Sequence, residues 1–183
     1  MHNLIIIIVF LYFVKKLSET KKNLKSAFAG ESQANRRYLA FAKKAEDEGY
    51  SQIAKLFKAA AEAETVHALN HLRILGEVSS TADNVKAAIS GETHEFKSMY
   101  PKFIDIANQE GNKQAEWSFN VANKVEKIHA DLLKKIEISL DTGKKLDNVD
   151  FYVCKICGNT VENSVPDKCP ICGASKEQFF KPY

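Results

Sequence analysis

Glutamates and histidines recur along this chain in two matching sets. Glu31 precedes Glu64-Thr-Val-His67 by 33 residues, and Glu92 precedes Glu126-Lys-Ile-His129 by 34. On a helix, a step of three residues puts Glu and His on one face, so both can reach one cation. Their neighbours make that face an inward one. Glu31 stands three residues after Phe28 and seven after Leu24, while Glu64 and His67 follow Ala60, and Glu126 and His129 follow Ala122, by four and seven. A buried ionised carboxylate costs several kcal/mol unless it is paired or metal-bound. Several together repel one another and partly protonate. Two divalent cations resolve that conflict.

A lone Glu on each of two helices with Glu-x-x-His on two others is the ligand pattern of di-iron and di-manganese helical bundles. Mixed carboxylate and imidazole donors suit iron or manganese better than a soft metal. One Glu-x-x-His arises often by chance; two at matched offsets on apolar stripes do not. Glu95, three residues after Glu92, is either a further ligand or an exposed helix residue. Tyr38 and Tyr100 either donate a hydrogen bond to a ligand carboxylate or pack in the core. We expect His71 to be exposed and His94 to lie off the ligand face. His2 has no motif around it, and Trp117 is expected between helices.

All four cysteines fall late in the chain, as Cys154-Lys-Ile-Cys157-Gly and Cys169-Pro-Ile-Cys172-Gly, with eleven residues between the pairs. Such paired knuckles read as a tetrahedral thiolate site, not a disulfide framework. A structural zinc is the plain reading of the spacing. Beside a di-iron site, an electron-feeding iron is the more sensible occupant.

The elements that must position these residues follow from periodicity. Leu24, Ala27, Phe28, Ala34, Tyr38, Phe41 and Ala45 recur at helical steps and predict a helix from Ser18 to about Glu48. A second runs from Ser51, as its cap, to about Leu75, with Ile53, Leu56, Phe57, Ala60 and Ile74 on its apolar face. Thr81 to Ser90 reads as a short connecting helix, about Gly91 to Asn108 as a third long helix, and Gly111 to about Leu140 as a fourth. From Phe151 onward short strands and turns take over. The expected fold class is mainly α: an antiparallel, ferritin-like four-helix bundle over 17–146, then a small metal-binding β domain over 147–183. A length of 183 residues suits one or two domains and a core that needs no disulfides.

A net charge of +3, dispersed through the helices, argues against nucleic acid as a partner. Residues 1–16 are unlike the rest. Leu4 to Val14 is an unbroken apolar run of 11 residues, short of the ~20 needed to span a bilayer. It lacks the basic start and small-residue cleavage site of a signal peptide. We read it as an extension of unknown role, with a weak membrane or partner anchor as the alternative, and expect a cytoplasmic protein.

The segment Asn23-Leu-Lys-Ser-Ala-Phe-Ala-Gly-Glu-Ser-Gln-Ala-Asn-Arg-Arg-Tyr38 resembles the first helix of rubrerythrins. Glu64-Thr-Val-His67, Gly91-Glu-Thr-His-Glu-Phe-Lys-Ser-Met-Tyr-Pro101 and Glu126-Lys-Ile-His129 are similar to their other ligand helices, and the last ~35 residues resemble a rubredoxin domain. The resemblance covers about Leu17 to Tyr183; Met1 to Lys16 has no counterpart in it. It implies Glu31, Glu64, Glu92, Glu95, Glu126, His67 and His129 as di-iron ligands, with Glu64 and Glu126 bridging. It also implies that one iron exchanges Glu95 for His67 on reduction. Tyr38 and Tyr100 match supporting positions, and Cys154, Cys157, Cys169 and Cys172 match the ligands of a mononuclear iron.

By the same resemblance the expected activity is a non-haem di-iron peroxidase in oxidative-stress defence. It would reduce hydrogen peroxide to water with electrons from NAD(P)H, delivered through a separate reductase or rubredoxin and then the cysteine iron. A dioxygen-using oxidase or ferroxidase, iron storage, and a zinc-stabilised bundle are the alternatives. Helix four runs about 14 residues past Glu126, or ~21 Å, which predicts a cysteine domain far from its own di-iron ligands. We therefore expect a homodimer or higher homo-oligomer, head to tail, with Cys154 and its companions of one chain beside Glu92 and His129 of another. Rubrerythrins are similar in this respect.

Overall fold

The structure, a computed structural model, describes the backbone of residues 2–182 and the side chains of residues 19–182. The chain divides into two compact units, Met1–Ser79 and Ser80–Tyr183.

The first unit is a helical hairpin of α1 (His2–Asp47) and α2 (Ser51–Leu75). With no glycine or proline before Gly30, nothing in the sequence stops α1 short of its N-terminal end, so it begins well before the expected Ser18. The expectation of an anchor at Leu4–Val14 falls on side chains outside the described residues. Among the described residues no helix is long and apolar enough to cross a membrane. Ser51 does not cap α2: the cap position is Tyr50, and no side chain accepts there. Gly76 ends α2 in the left-handed region at φ 71°, its N–H shared between the carbonyls of Arg73 and Leu72.

The seam between α1 and α2 is built from alanine. Ala42, Ala45, Ala54, Ala61 and Ala68 are buried. The three on α2 recur every seven residues, the spacing that keeps one stripe facing one partner helix. Small side chains let the two backbones approach closely. Sequence periodicity puts Ile53, Leu56 and Ile74 on the apolar face, but they are 48%, 69% and 64% exposed because the alanines occupy the seam.

The second unit joins α3 (Thr81–His94), a π turn (Glu95–Met99), α4 (Tyr100–Gln109) and α5 (Lys113–Thr142) to a small sheet. The expected break near Gly91 is absent; the helix runs from Thr81 to Gln109 with only the π turn inside it. Pro101 stands at the start of α4 and has no N–H for the ladder. The turn takes up that gap, with the Tyr100 N–H bonding back to the Glu95 carbonyl. Ser80 caps α3 by accepting from the Asp83 N–H, and Asn112 caps α5 by accepting from Ala115. Ala107, Val121, Val125 and Ala130 form the buried helical core of this unit.

The sheet has order β2-β1-β3, all antiparallel, from β1 (Phe151–Cys154), β2 (Thr160–Glu162) and β3 (Phe179–Phe180). Its core is Cys154, Cys169 and Phe179. This sheet folds back on α5. Lys135 donates to Glu162 at 2.7 Å, and His129 meets Thr160 at 3.0 Å. The expectation of a cysteine domain held away by the length of α5 is therefore wrong. The linker after Gly143 reverses, and β2 lies along the helix that precedes it.

Candidate metal centres

Three groups of side chains among the described residues bring possible ligand atoms within 4.8 Å of one another. They are Glu31, Glu64 and His67 in the first unit, Glu92, Glu126 and His129 in the second, and Cys154, Cys157, Cys169 and Cys172.

In the first unit, His67 Nδ1 lies 2.8 Å from Glu64 Oε2. Asn35, one turn after Glu31, donates to the Ala61 carbonyl and to Thr65 Oγ1, each at 2.8 Å. It fastens α1 to α2 at the level of the group, next to Glu64. The sequence reading missed Asn35; its signal was a polar residue four after Glu31 on the same inward stripe. Tyr38 packs its ring on Phe41 and Phe57, at 6.4 and 6.0 Å between centroids.

In the second unit, His129 Nδ1 lies 2.9 Å from Glu126 Oε2 and 3.8 Å from Glu92 Oε1. Burial pushes the Glu92 carboxyl above its usual range, against the pull of His129 and with the help of the Glu126 charge. Burial also holds the Tyr100 hydroxyl protonated, as do the charges of Glu126, Glu95 and Glu92. Tyr100 therefore stands among these carboxylates, while its ring packs on Phe103 and Phe119 at 6.2 and 6.3 Å. Glu95 sits half-buried on the π turn, outside the three-residue group.

The two units repeat each other more closely than ligand spacing alone suggests. Tyr38, Phe41 and Phe57 in one correspond to Tyr100, Phe103 and Phe119 in the other, with the two phenylalanines 5.5 Å apart in both. Tyr38 follows Glu31 by seven residues and Tyr100 follows Glu92 by eight. The π turn absorbs the additional residue and keeps tyrosine and glutamate in step.

His94, expected off the ligand face, is exposed and belongs to none of the three groups. His71, expected to be exposed, is half-buried, and its Nδ1 is buried without a hydrogen-bond partner. Trp117 is 51% exposed instead of lying between helices, because the buried seam of α5 is carried by Val121 and Val125.

At the cysteine site, Cys154 Sγ lies 3.8 Å from Cys172 Sγ, and Cys157 Sγ lies 3.6 Å from Cys169 Sγ. A tetrahedron with metal–sulfur bonds of ~2.3 Å has edges of about 3.8 Å, so the four sulfurs are set for one ion. Burial raises the thiols of Cys157 and Cys172. At Cys169 burial acts the same way, but the N–H groups of Cys172 and Ile171, together with the thiols of Cys157 and Cys172, outweigh it and bring the thiol down to about 7. Asn159, almost wholly buried, points its amide at Cys169 Sγ from 3.7 Å.

Comparison with known proteins matches the rubrerythrin family over residues 22–137 and the rubredoxin-like domain of rubrerythrin over residues 152–180. The chain belongs to the rubrerythrin family. It is 37% identical to rubrerythrin-2 of Clostridium acetobutylicum, over 90% of this chain and 97% of the relative. It is 34% identical to nigerythrin of Nitratidesulfovibrio vulgaris, over 89% and 86%. Among solved structures, a fully reduced, all-ferrous nigerythrin aligns with a TM-score of 0.53 and 35% identity, covering 88% of this chain and 86% of that one. Rubrerythrins are oxidoreductases of the peroxidase type, and this one has their fold class, a ferritin-like helical part followed by a small rubredoxin-like sheet. A rubrerythrin carries a di-iron centre and a four-cysteine iron site. The carboxylate–imidazole groups and the tetrahedral sulfurs supply the donor sets that those irons need.

Proposed function

We propose that this rubrerythrin reduces hydrogen peroxide to water with electrons that start on NAD(P)H and enter through a separate reductase or rubredoxin. In this reading Glu31, Glu64, Glu92, Glu95, Glu126, His67 and His129 would hold the di-iron centre, and the four cysteines would hold the entry iron. The functional division is an extension at 1–16, a di-iron domain at 17–146 and an electron-entry domain at 147–183, in a cytoplasmic homodimer or larger homo-oligomer.

The observation that carries the reading is the adjacency, within one unit, of a four-thiolate site and a carboxylate–imidazole group. Thr160, two residues beyond the glycine-flanked cysteine pair's Gly158, reaches His129 at 3.0 Å. That contact sets the knuckle of the thiolate site against a proposed helical ligand, the short separation that favours electron delivery. When bound, a pair of ferrous ions supplies the two electrons that break the O–O bond, and two protons complete the two waters. The chain's own groups do the rest. Glu92 and Glu126 neutralise the cations, His129 presents Nδ1, and Tyr100 keeps its proton beside the carboxylates. A cavity of about 300 Å³ lined by Glu92, His129, Leu132, Leu133, Ile136 and Phe151 offers an apolar space beside these ligands.

Metal analysis and a coupled assay on natively purified protein test the proposal. Seven helical ligands and four thiolates imply three irons per chain. One NADH should be consumed per peroxide in the presence of a reductase. Zinc at the cysteines of protein from an iron-replete host would rule out the electron-entry role. Dioxygen consumption that outpaces peroxide consumption would favour the oxidase alternative, and a large iron-filled cage on gel filtration would favour storage.

A further inference from the structure

His129 has two ring nitrogens, and they face different surroundings. Nδ1 faces Glu126 and Glu92 at 2.9 and 3.8 Å, and Nε2 faces Thr160 Oγ1 at 3.0 Å. The Thr160 hydroxyl has one proton to give, and the Gly158 carbonyl lies 3.2 Å away to take it. That leaves the oxygen's lone pairs for an N–H on Nε2. His67, the matching residue of the first unit, has only Glu64 as a partner among the described residues.

Thr160 is itself held by the cysteine knuckle. The Gly158 N–H bonds to the Cys154 carbonyl at 2.8 Å, and the Cys154 N–H bonds to the Asn159 carbonyl at 2.9 Å. The residue before Thr160 is the buried Asn159, whose amide meets Cys169 Sγ. Gly158 adopts φ +81°, and a Cβ there would come within 3.8 Å of Val125 Cγ1, one turn before His129 on α5. One peptide unit thus has a sulfur ligand on one side and an imidazole on the other.

We propose that Thr160 is a positioning residue: its hydroxyl accepts the Nε2–H of His129, aims Nδ1 at the Glu92–Glu126 pair, and ties that imidazole to the knuckle of the cysteine site. A metal-bound histidine whose other N–H is hydrogen-bonded is fixed in orientation and more basic, and loss of such a partner commonly lowers metal affinity 10- to 100-fold. Thr160→Val keeps the shape and β-branching but removes the acceptor. Thr160→Ser keeps the acceptor.

The inference rests on His129 being a metal ligand, so the test separates the two. The full chain is loaded with diamagnetic zinc at every site, and the His129 Nε2–H is followed by NMR. In wild-type protein it should be a slowly exchanging, hydrogen-bonded proton. In Thr160→Val it should exchange like a free imidazole N–H, and Thr160→Ser should restore protection. In the iron-loaded chain, chelator should strip the helical site about tenfold faster from Thr160→Val than from wild type or Thr160→Ser, with the visible spectrum of the cysteine iron unchanged. A wild-type Nε2–H that exchanges freely while the helical site is full overturns the inference, even if Thr160→Val does not fold. Unaltered protection and metal release in Thr160→Val overturn it too. Failure of the wild-type helical site to bind metal at all would instead overturn the ligand reading on which it stands.

Discussion

Glu92 is where the cost of gathering carboxylates shows. Its proton is held above the ordinary glutamate value of 4.5, first by burial. A carboxyl whose pKa is higher in the fold than in the unfolded chain stabilises the fold while protonated. That contribution is present at acid pH and is lost as pH rises through the raised value. With Glu92 as a proposed ligand, metal uptake would expel the same proton, so the sign for binding is the reverse. Ferrous affinity should climb as pH rises from about 4.5, and the thermal stability of metal-free protein should decline over the same interval. Glu92→Gln should flatten the stability slope in a pH series of melting curves; an undiminished slope would assign it to other groups. Glu95 tests a different point. It lies outside the compact group but close enough for its charge to act on Tyr100. Glu95→Ala should keep most of the iron, since the other donors remain, and lower peroxide turnover about tenfold. Unchanged turnover of both peroxide and dioxygen would make Glu95 a bystander.

At the scale of elements, the alanine seam and the π turn do the positioning. Ala61 is fully buried where α2 meets α1, one turn from Glu64 and Thr65, and its carbonyl accepts from Asn35. Ala61→Leu must push the helices apart. Overpacking of this kind costs ~1–3 kcal/mol, which should lower the melting temperature by several degrees and loosen the Asn35 contacts. A calorimetric scan should show the loss in metal-free protein as well. If only the metal-loaded form is destabilised, the seam is not what sets the spacing of α1 and α2. The π turn has the complementary task in the second unit. It keeps Tyr100 in step with Glu92 despite an additional residue, and it presents Glu95 on the way.

For the whole molecule, the decisive feature is the return of the cysteine domain onto α5 of its own chain. On the proposed function, that contact favours an electron route within one chain over one between chains. Two inactive variants, Cys154→Ser/Cys157→Ser and Glu126→Ala/His129→Ala, should therefore fail to complement when co-expressed, because neither chain has both an intact cysteine site and an intact Glu92–Glu126–His129 group. A chain with all four changes, co-expressed with wild type, should leave about half of the reductase-driven peroxide activity per mixed dimer. Recovery in the first mixture, with loss in the second, would restore a cross-chain route.

The ligand types and their faces were legible in the sequence because they are local. A helix translates a step of three into one face, and Cys-x-x-Cys into a knuckle, whatever the rest of the chain does. The glycine stops and the change of text at Phe151 were legible for the same reason. What the sequence could not show depends on contacts between residues far apart in the chain. The α1–α2 seam had to be chosen between alanines and larger apolar residues that share the same period, and small volume won. Thr160 looked like an ordinary strand residue until the linker after Gly143 turned back and set its hydroxyl 3.0 Å from His129. No periodicity encodes that reversal. It is decided by which surfaces of α5 and the sheet bury each other, and tertiary packing alone determines it.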